Sequence, residues 1–197
     1  MNDGDSDYTH LMRCCDRLGI PDARVAVGKM LTLDYIIANE DRHYTNFGFV
    51  RNAETLAWFD AAPVFDSGTS LWHNALSVGE PRKCQPFAKT HEEQIKLVSD
   101  LSWFNAGTLK GLEQEISEIF SQSRTVDESR AKAIGEAVLN RADAIGRLAK
   151  SKSRTLNVPV QKTEKTSALE FIRNHKSKER TETKTPANTK KKSYGRD

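Results

Sequence analysis

The residues of this chain that could do chemistry lie in two short polar segments. The first holds Asp41 and Asn46, and the second holds Asp66 with Ser67 and Gly68 directly after it. Carboxylate and amide oxygens are the hard donors that Mg²⁺ prefers, and a carboxylate can also accept the proton of an attacking hydroxyl. Phosphoryl transfer from ATP needs these functions together, so the two segments predict a site for that chemistry.

The elements around these segments are predicted to hold them in place. The spacing of apolar residues predicts one helix over residues 8–18, ended by Gly19, and a second helix that Asp22 caps and that runs to about residue 38. The second helix is apolar on most faces, so we expect it in the middle of the domain. Residues 47–50 and 56–59 predict two short strands that form a hairpin between the polar segments. A polar segment at the exit of a buried helix can be held rigid by the core beneath it.

The second half of the chain is predicted to be mostly helical. Capping-box pairs occur at Thr90 with Glu93 and at Thr125 with Glu128. Residues 79–86 predict an irregular loop. Two apolar stripes at helical spacing are expected in the core. The first comprises Leu109, Leu112, Ile116, Ile119 and Phe120, and the second comprises Ala131, Ile134, Val138, Ala142, Ile145 and Leu148.

Charge divides the 197-residue chain into two regions. Residues 1–149 carry 16 Lys+Arg and 22 Asp+Glu, whereas residues 150–197 carry 14 and 5. We therefore predict one domain over residues 1–149 and a basic, disordered tail over residues 150–197, in which residues 168–174 could form a helical turn. A flexible basic segment can bind nucleic acid by neutralising phosphates, and the alternative is a solvated tail.

Several classes of protein are disfavoured by composition. The three cysteines, two of them adjacent, do not predict a disulfide framework, and no Cys/His cluster has the spacing of zinc ligands. No apolar stretch has the length of a membrane helix, and the acidic N-terminus has no apolar core of the kind found in secretory signals. These observations predict a cytoplasmic protein without a membrane partner.

The two polar segments and their surroundings resemble a known family. The string IIANEDRHYTNFGF, followed by a hairpin and PVFDSGTSLW, is similar to the HipA-type kinases. The spacing Asp-x4-Asn matches the protein-kinase catalytic loop, and the order Asp-Arg-His also resembles the lipid kinases. The resemblance implies a protein-kinase-like C-terminal lobe, mainly α with a short β-hairpin. It further implies ATP-dependent transfer to Ser/Thr of a protein substrate, and an antitoxin partner, because HipA-type proteins are associated with toxin–antitoxin pairs.

The resemblance implies a role for each residue that it covers. Asp41 corresponds to the catalytic base, and Asn46 and Asp66 correspond to ligands of the Mg²⁺ that accompanies ATP. His43 lies inside the loop, where it either positions a phosphate or braces the loop.

Each of these residues also has a structural interpretation. Aspartate and asparagine favour turns and caps, so the spacing in the loop alone is a weak signal. In the structural interpretation of Arg42, its one role is to form an ion pair with a neighbouring carboxylate, either Glu40 or Asp34. A histidine considered alone is more often structural than catalytic.

A complete kinase needs more than these segments. A glycine-rich loop must cover the phosphates and a strand lysine must reach them, but no G-x-G-x-x-G occurs in the sequence. We therefore expect the N-terminal lobe to be missing. The chain is then a fragment, a protein that works with a separate N-lobe polypeptide, or a degenerate binding module. We expect it to bind Mg-ATP weakly on its own, with little or no kinase activity. The competing hypothesis is a non-catalytic protein that binds nucleic acid or a partner through the basic tail.

Overall fold

The computed structural model describes residues 6–156, and the side chains of residues 6–153. Helices dominate this part of the chain, with two small antiparallel hairpins, which confirms the predicted mainly α fold with short β structure. The helices are α1 (Asp7–Leu18), α2 (Ala23–Ile37), α3 (His91–Ile95), α4 (Leu112–Ser121) and α5 (Glu128–Leu156), with a short 3₁₀ helix at Ala106–Leu109. The strands are β1 (Phe49–Arg51), β2 (Trp58–Ala61), β3 (Lys83–Cys84) and β4 (Lys89–Thr90).

The first two helices lie where the sequence predicts them. The Ser6 Oγ caps α1 by accepting the N–H of Thr9 at 3.2 Å, and α1 ends at Gly19 in the left-handed conformation (φ 67°). Asp22 precedes α2 as predicted, but its side chain makes no capping hydrogen bond. Its backbone is left-handed (φ 50°), whereas a capping side chain normally extends from a β-region backbone.

The core forms where α2 packs against α3 and α5, and where α4 packs against α5. The predicted stripe of α5 is buried from Ala131 to Ile145, and α2 is buried over most of its length, as predicted. The stripe predicted over residues 109–120 is only partly correct, because Leu109 lies in the 3₁₀ helix and α4 begins only after Gly111. Ile116 is buried, but Ile119 is 68% exposed, because α4 turns Ile116 and Phe120 toward the core and leaves Ile119 on the solvent side.

One of the two predicted capping boxes is present. At the start of α3, the Thr90 Oγ1 accepts the N–H of Glu93 at 3.2 Å, and the Glu93 Oε2 accepts the N–H of Thr90 at 2.8 Å. The box predicted at Thr125 is absent. Instead, the Asp127 Oδ1 accepts the N–H of Arg130 at 2.8 Å, so the residue directly before α5 caps it.

The hairpins agree with prediction only in part. β1 and β2 pair with Phe49 opposite Ala61, which confirms the first hairpin with a shift of one or two residues. The stretch 79–86, predicted to be irregular, contains β3, which pairs with β4. Each of these strands has two residues, too few for a period-2 pattern to be recognised. Gln94 of α3 holds them, since its Nε2 donates to the carbonyl of Cys84 at 3.0 Å. All three cysteines of the chain are free thiols.

The C-terminal helix extends past the predicted domain boundary. α5 continues to Leu156, so the first residues of the predicted tail are helical. The rest of that tail, including the helical turn predicted at residues 168–174, lies outside the described residues. Within residues 6–156, no helix combines the length and the apolar character needed to span a membrane.

Candidate functional site

The first polar segment begins at the buried C-terminal end of α2. Ala38 ends the helix in the left-handed conformation (φ 53°), and the chain turns into the buried Asn39. The Asn39 Nδ2 donates to the Asp34 Oδ1 at 3.0 Å, and the Asn39 Oδ1 accepts from the Thr69 Oγ1 at 2.8 Å. A buried turn is stable only where its polar groups find partners, and Asn39 finds one on each side of its amide.

Arg42 carries the buried charge of this segment, and its side chain is 0% exposed. Its Nε donates to the Asp34 Oδ2 at 2.9 Å, and its Nη2 donates to the Asp34 Oδ1 at 2.9 Å. Of the two partners considered from the sequence, the structure therefore selects Asp34; Glu40 instead lies 3.6 Å from the Arg82 Nη1. This bidentate pairing fixes the direction of the guanidinium as well as its position.

The remaining donors of Arg42 join the two predicted segments. Nη1 donates to the carbonyl of Asn46 at 3.2 Å, to that of Asp66 at 3.4 Å and also to that of Phe65. Nη2 donates to the Ser67 Oγ at 3.1 Å. One guanidinium thus holds the backbone of the loop against that of a segment more than twenty positions away. We call this cluster the Arg42 junction; it comprises Arg42, Asp34, Asn46, Phe65, Asp66 and Ser67.

Asn46 is buried, and the loop orients its amide. The Asn46 Nδ2 donates to the carbonyl of Asp41 at 3.1 Å. The Asn46 Oδ1 has one long contact within residues 6–156, at 3.5 Å from the Thr45 Oγ1. The loop therefore uses the donor side of the amide, and the acceptor side retains capacity for a ligand.

Asp41 and His43 lie on the exposed side of the same loop. The Asp41 side chain is 53% exposed, and its Oδ2 lies 3.9 Å from the His43 Nε2. The His43 Nδ1 lies 2.7 Å from the Thr45 Oγ1, a hydrogen bond that restrains the imidazole ring. A carboxylate that is open to solvent can accept a proton from a hydroxyl group that approaches it.

Asp66 is exposed, and its backbone lies in the left-handed region (φ 53°). A residue with a Cβ is strained there, and the hydrogen bonds from Arg42 to the carbonyls of Phe65 and Asp66 hold it in place. The structure therefore brings the backbone of Asp66 to the loop of Asp41 and Asn46. Within the described residues, no hydrogen bond joins the three side chains to one another directly.

The predicted magnesium ligands do not form a carboxylate cluster. Residues 6–156 contain no group of three or more His, Cys, Asp or Glu side chains that could hold a metal ion. Asn46 and Asp66 contribute one amide and one carboxylate. Such a pair suits Mg²⁺ only in a site where phosphates and water supply most of the ligands.

Comparison with known proteins identifies no relative of this chain. A scan against protein-family models, a search of curated proteins and a search of solved structures find no match to this chain. The likeness to the HipA-type kinases rests on the motif residues alone, and its implications for activity, cofactors and partners are proposals.

The sequence did not single out His91, which supports the loop from α3. Its Nε2 donates to the carbonyl of Asn39 at 2.8 Å, 52 positions earlier in the chain. Burial lowers the pKa of His91, so the neutral imidazole makes this bond. No local pattern could have indicated this contact. Asp34 did carry a signal, since it is the one acidic residue of α2 and lies in the mainly apolar second half of that helix.

A second arginine ties α5 to the same end of α2. The Arg141 Nη2 donates to the Glu92 Oε1 at 3.1 Å, and its guanidinium carbon lies 4.7 Å from the ring centroid of Tyr35 and 5.4 Å from that of Trp72. Cation–π contacts of this kind are stronger when they are partly desolvated. The loop therefore rests on a helix end that α3 and α5 both restrain.

Proposed function

We propose that this chain carries the catalytic loop of a HipA-type protein serine/threonine kinase that depends on ATP and Mg²⁺, on a kinase-like C-terminal lobe. The observation that carries the proposal is the Arg42 junction, which holds the segment of Asp41 and Asn46 against the segment of Asp66. A proton acceptor and metal ligands from separate segments can act on one phosphate only if they are held at one place.

Asn46 and Asp66 are the residues that would hold the metal. The orientation of the Asn46 amide, with its nitrogen engaged by the Asp41 carbonyl, supports the use of its oxygen as a ligand. The carboxylate of Asp66 supplies the hard, charged oxygen that Mg²⁺ prefers. Bound Mg²⁺ neutralises charge on the ATP phosphates and orients the group that is transferred.

Asp41 would act on the hydroxyl of the protein substrate. As the Ser or Thr oxygen attacks the terminal phosphorus of ATP, the bond from that phosphorus to the bridging oxygen breaks, ADP leaves, and the hydroxyl proton passes to Asp41. The exposure of Asp41 supports this role, because a protein side chain must reach the carboxylate. His43 restrains the same loop through Thr45 and lies near the carboxylate.

The proposed reaction also requires a lobe that covers the phosphates of ATP. The sequence contains no glycine-rich loop of the kinase type, so we propose that another lobe supplies it, either from a longer form of the same protein or from a complementary N-lobe chain, and that residues 1–197 alone bind Mg-ATP weakly. The apolar side chains of Val64 and Phe65, directly before Asp66 in the chain, are exposed, as expected of a surface that another lobe covers. The setting that we propose is cytoplasmic, with an antitoxin as a further partner.

Calorimetric titration with ATP tests the nucleotide site. We expect binding that requires Mg²⁺ and that weakens at least about tenfold in Asp66→Asn, because one charged ligand is lost. Glu54→Gln, which neutralises an exposed carboxylate in the turn of the first hairpin, is the matched control and should leave the affinity unchanged. An ATP affinity that neither EDTA nor Asp66→Asn alters would overturn the proposal.

Transfer from labelled ATP tests the catalytic roles. The isolated chain should show little or no transfer to a Ser/Thr protein substrate, and Asp41→Ala and Asp66→Ala should remove whatever is detected. Robust transfer by the isolated chain, abolished by either substitution, would support the kinase and refute the requirement for a second lobe.

One observation favours a second function, which is binding of nucleic acid. Residues 150–197 carry 14 Lys+Arg against 5 Asp+Glu, enough for several phosphate contacts. Under this alternative, fluorescence anisotropy should detect DNA binding that weakens steeply from about 50 to 200 mM salt. A chain ending at residue 156, where α5 is complete, should lose that binding, whereas Asp41→Ala should not change it.

A further inference from the structure

An apolar groove of about 490 Å³ opens on the side of α2 that bears Leu33. Its walls come from α2, the 3₁₀ helix, α4, α5 and the loop that holds Trp103, and they include Leu33, Leu112, Ile116 and Val138. The volume lies within the range of small-molecule sites, roughly 300–1,000 Å³. None of the residues with proposed roles in phosphoryl transfer lines it. We call this feature the α2 groove.

The α2 groove has two polar side chains, Thr32 and Lys29, and each has a contact within the protein. The Thr32 hydroxyl donates to the carbonyl of Gly28 at 2.8 Å, so α2 itself satisfies it. Lys29 is the one charged residue among the lining residues, and its Nζ lies 5.9 Å from the ring centroid of Trp103. A ligand would therefore meet carbon along the groove and a single ammonium group at its edge.

The distribution of exposed apolar residues favours a small ligand over a protein partner. A protein interface of standard size buries about 800 Å² of each partner, and the centre of that area is apolar. Of the large exposed apolar side chains within the described residues, only Leu33 and Trp103 line the groove; the others, such as Phe59, Leu76 and Ile119, do not. Two exposed large apolar side chains are few for a protein interface, and the volume of the groove suits one small molecule.

We propose that the α2 groove binds a free medium-chain fatty acid, with the acyl chain against the apolar walls and the carboxylate at Lys29. Carbon walls disfavour nucleotides, sugars and metal ions, which need buried polar partners. An unbranched acyl chain needs no hydrogen-bond partner, and the ammonium group of Lys29 can pair with the single carboxylate of a fatty acid. This binding site is separate from the proposed phosphoryl-transfer site and does not depend on it.

Titration with decanoate below its micelle concentration tests the proposal on the full chain. Isothermal calorimetry should show saturable binding with one site per chain. Decanol, which has the same chain length without the charge, should bind about fivefold more weakly, and Lys29→Met should reduce the affinity for decanoate to that of decanol. Equal affinity for decanoate and decanol in the wild type would overturn the assignment of a carboxylate.

Two matched substitutions test the location of the site. Leu33→Asp places a carboxylate on the wall of the groove and should abolish binding of decanoate. Ile119→Asp makes the same kind of change at an exposed apolar residue outside the groove, and it should leave binding intact. Both side chains are exposed, so circular dichroism should show folded proteins. The proposal fails if decanoate shows no saturation, if Leu33→Asp binds as the wild type does, or if the chain binds only to phospholipid vesicles.

Discussion

Two neighbouring residues of α2 belong to regions of different character, the polar Arg42 junction and the apolar α2 groove. Asp34 forms the bidentate ion pair of the Arg42 junction, whereas Leu33 lines the α2 groove. Successive residues of a helix point about 100° apart, so one helix can support a polar junction on one side and a groove on another. The hydrogen bonds of the junction depend strongly on angle and therefore fix its geometry, whereas apolar contacts in the groove depend on buried area and hardly on direction. We therefore expect substitutions in the junction to be costly and substitutions along the groove to be tolerated.

The largest effect should come from Arg42→Met, which leaves the carboxylate of Asp34 buried without its cation. Loss of one partner from a buried ion pair costs about 3–5 kcal/mol, so the free energy of unfolding should fall by that amount in urea titrations. Asp34→Leu combined with Arg42→Met removes both charges and should recover part of the loss. A loss below about 1 kcal/mol in Arg42→Met would mean that the junction does not hold the two segments.

Two truncations of isoleucine compare the core with the groove. Ile134→Ala in the core should lower the free energy of unfolding by about 3 kcal/mol, because its neighbours cannot fill the cavity. Ile116→Ala should cost roughly half as much, because Ile116 already borders the open groove on one side and loses fewer contacts. Thermal and urea unfolding of both variants measure the difference. Equal losses would indicate that the α2 groove is closed in solution.

A smaller effect is expected from Asn46→Ala, which removes the hydrogen bond from the Asn46 Nδ2 to the carbonyl of Asp41. The free energy of unfolding should fall by about 1 kcal/mol, since one hydrogen bond is lost while the ion pair of Arg42 remains. Under the proposed function, Mg²⁺-dependent ATP binding should weaken far more than stability does. Parallel losses of both would assign Asn46 a structural role only.

The mildest effect should be a pH dependence from His91. Burial places the pKa of His91 below its ordinary value, so the unfolded chain takes up a proton at a higher pH than the folded chain does. The stability that His91 contributes is therefore complete above the ordinary histidine pKa and declines as the pH falls through it toward the folded pKa. His91→Gln keeps a donor for the Asn39 carbonyl and should reduce the drop in melting temperature between pH 7.5 and pH 5. The same substitution at the exposed His73 is the control.

Much of the local structure follows from the sequence alone. The sequence predicted the extent of α1 to within one residue and the first hairpin to within two. It also predicted the burial of α2, the capping box at Thr90 and the buried stripe of α5. Each depends on residues within a few positions of one another, where side-chain spacing and capping chemistry act directly. The residue types that could form a phosphoryl-transfer site can likewise be identified from spacing.

Tertiary structure decided which partners those residues meet. The sequence left Arg42 between Glu40 and Asp34, and only packing on the buried end of α2 selects Asp34 and turns the remaining donors toward Asp66. The support from His91 comes from far along the chain, and the exposure of Ile119 depends on how α4 rotates against α5. The physical reason is that propensity and periodicity act over a few residues, whereas ion pairs, buried hydrogen bonds and grooves arise between elements that only the folded core brings together.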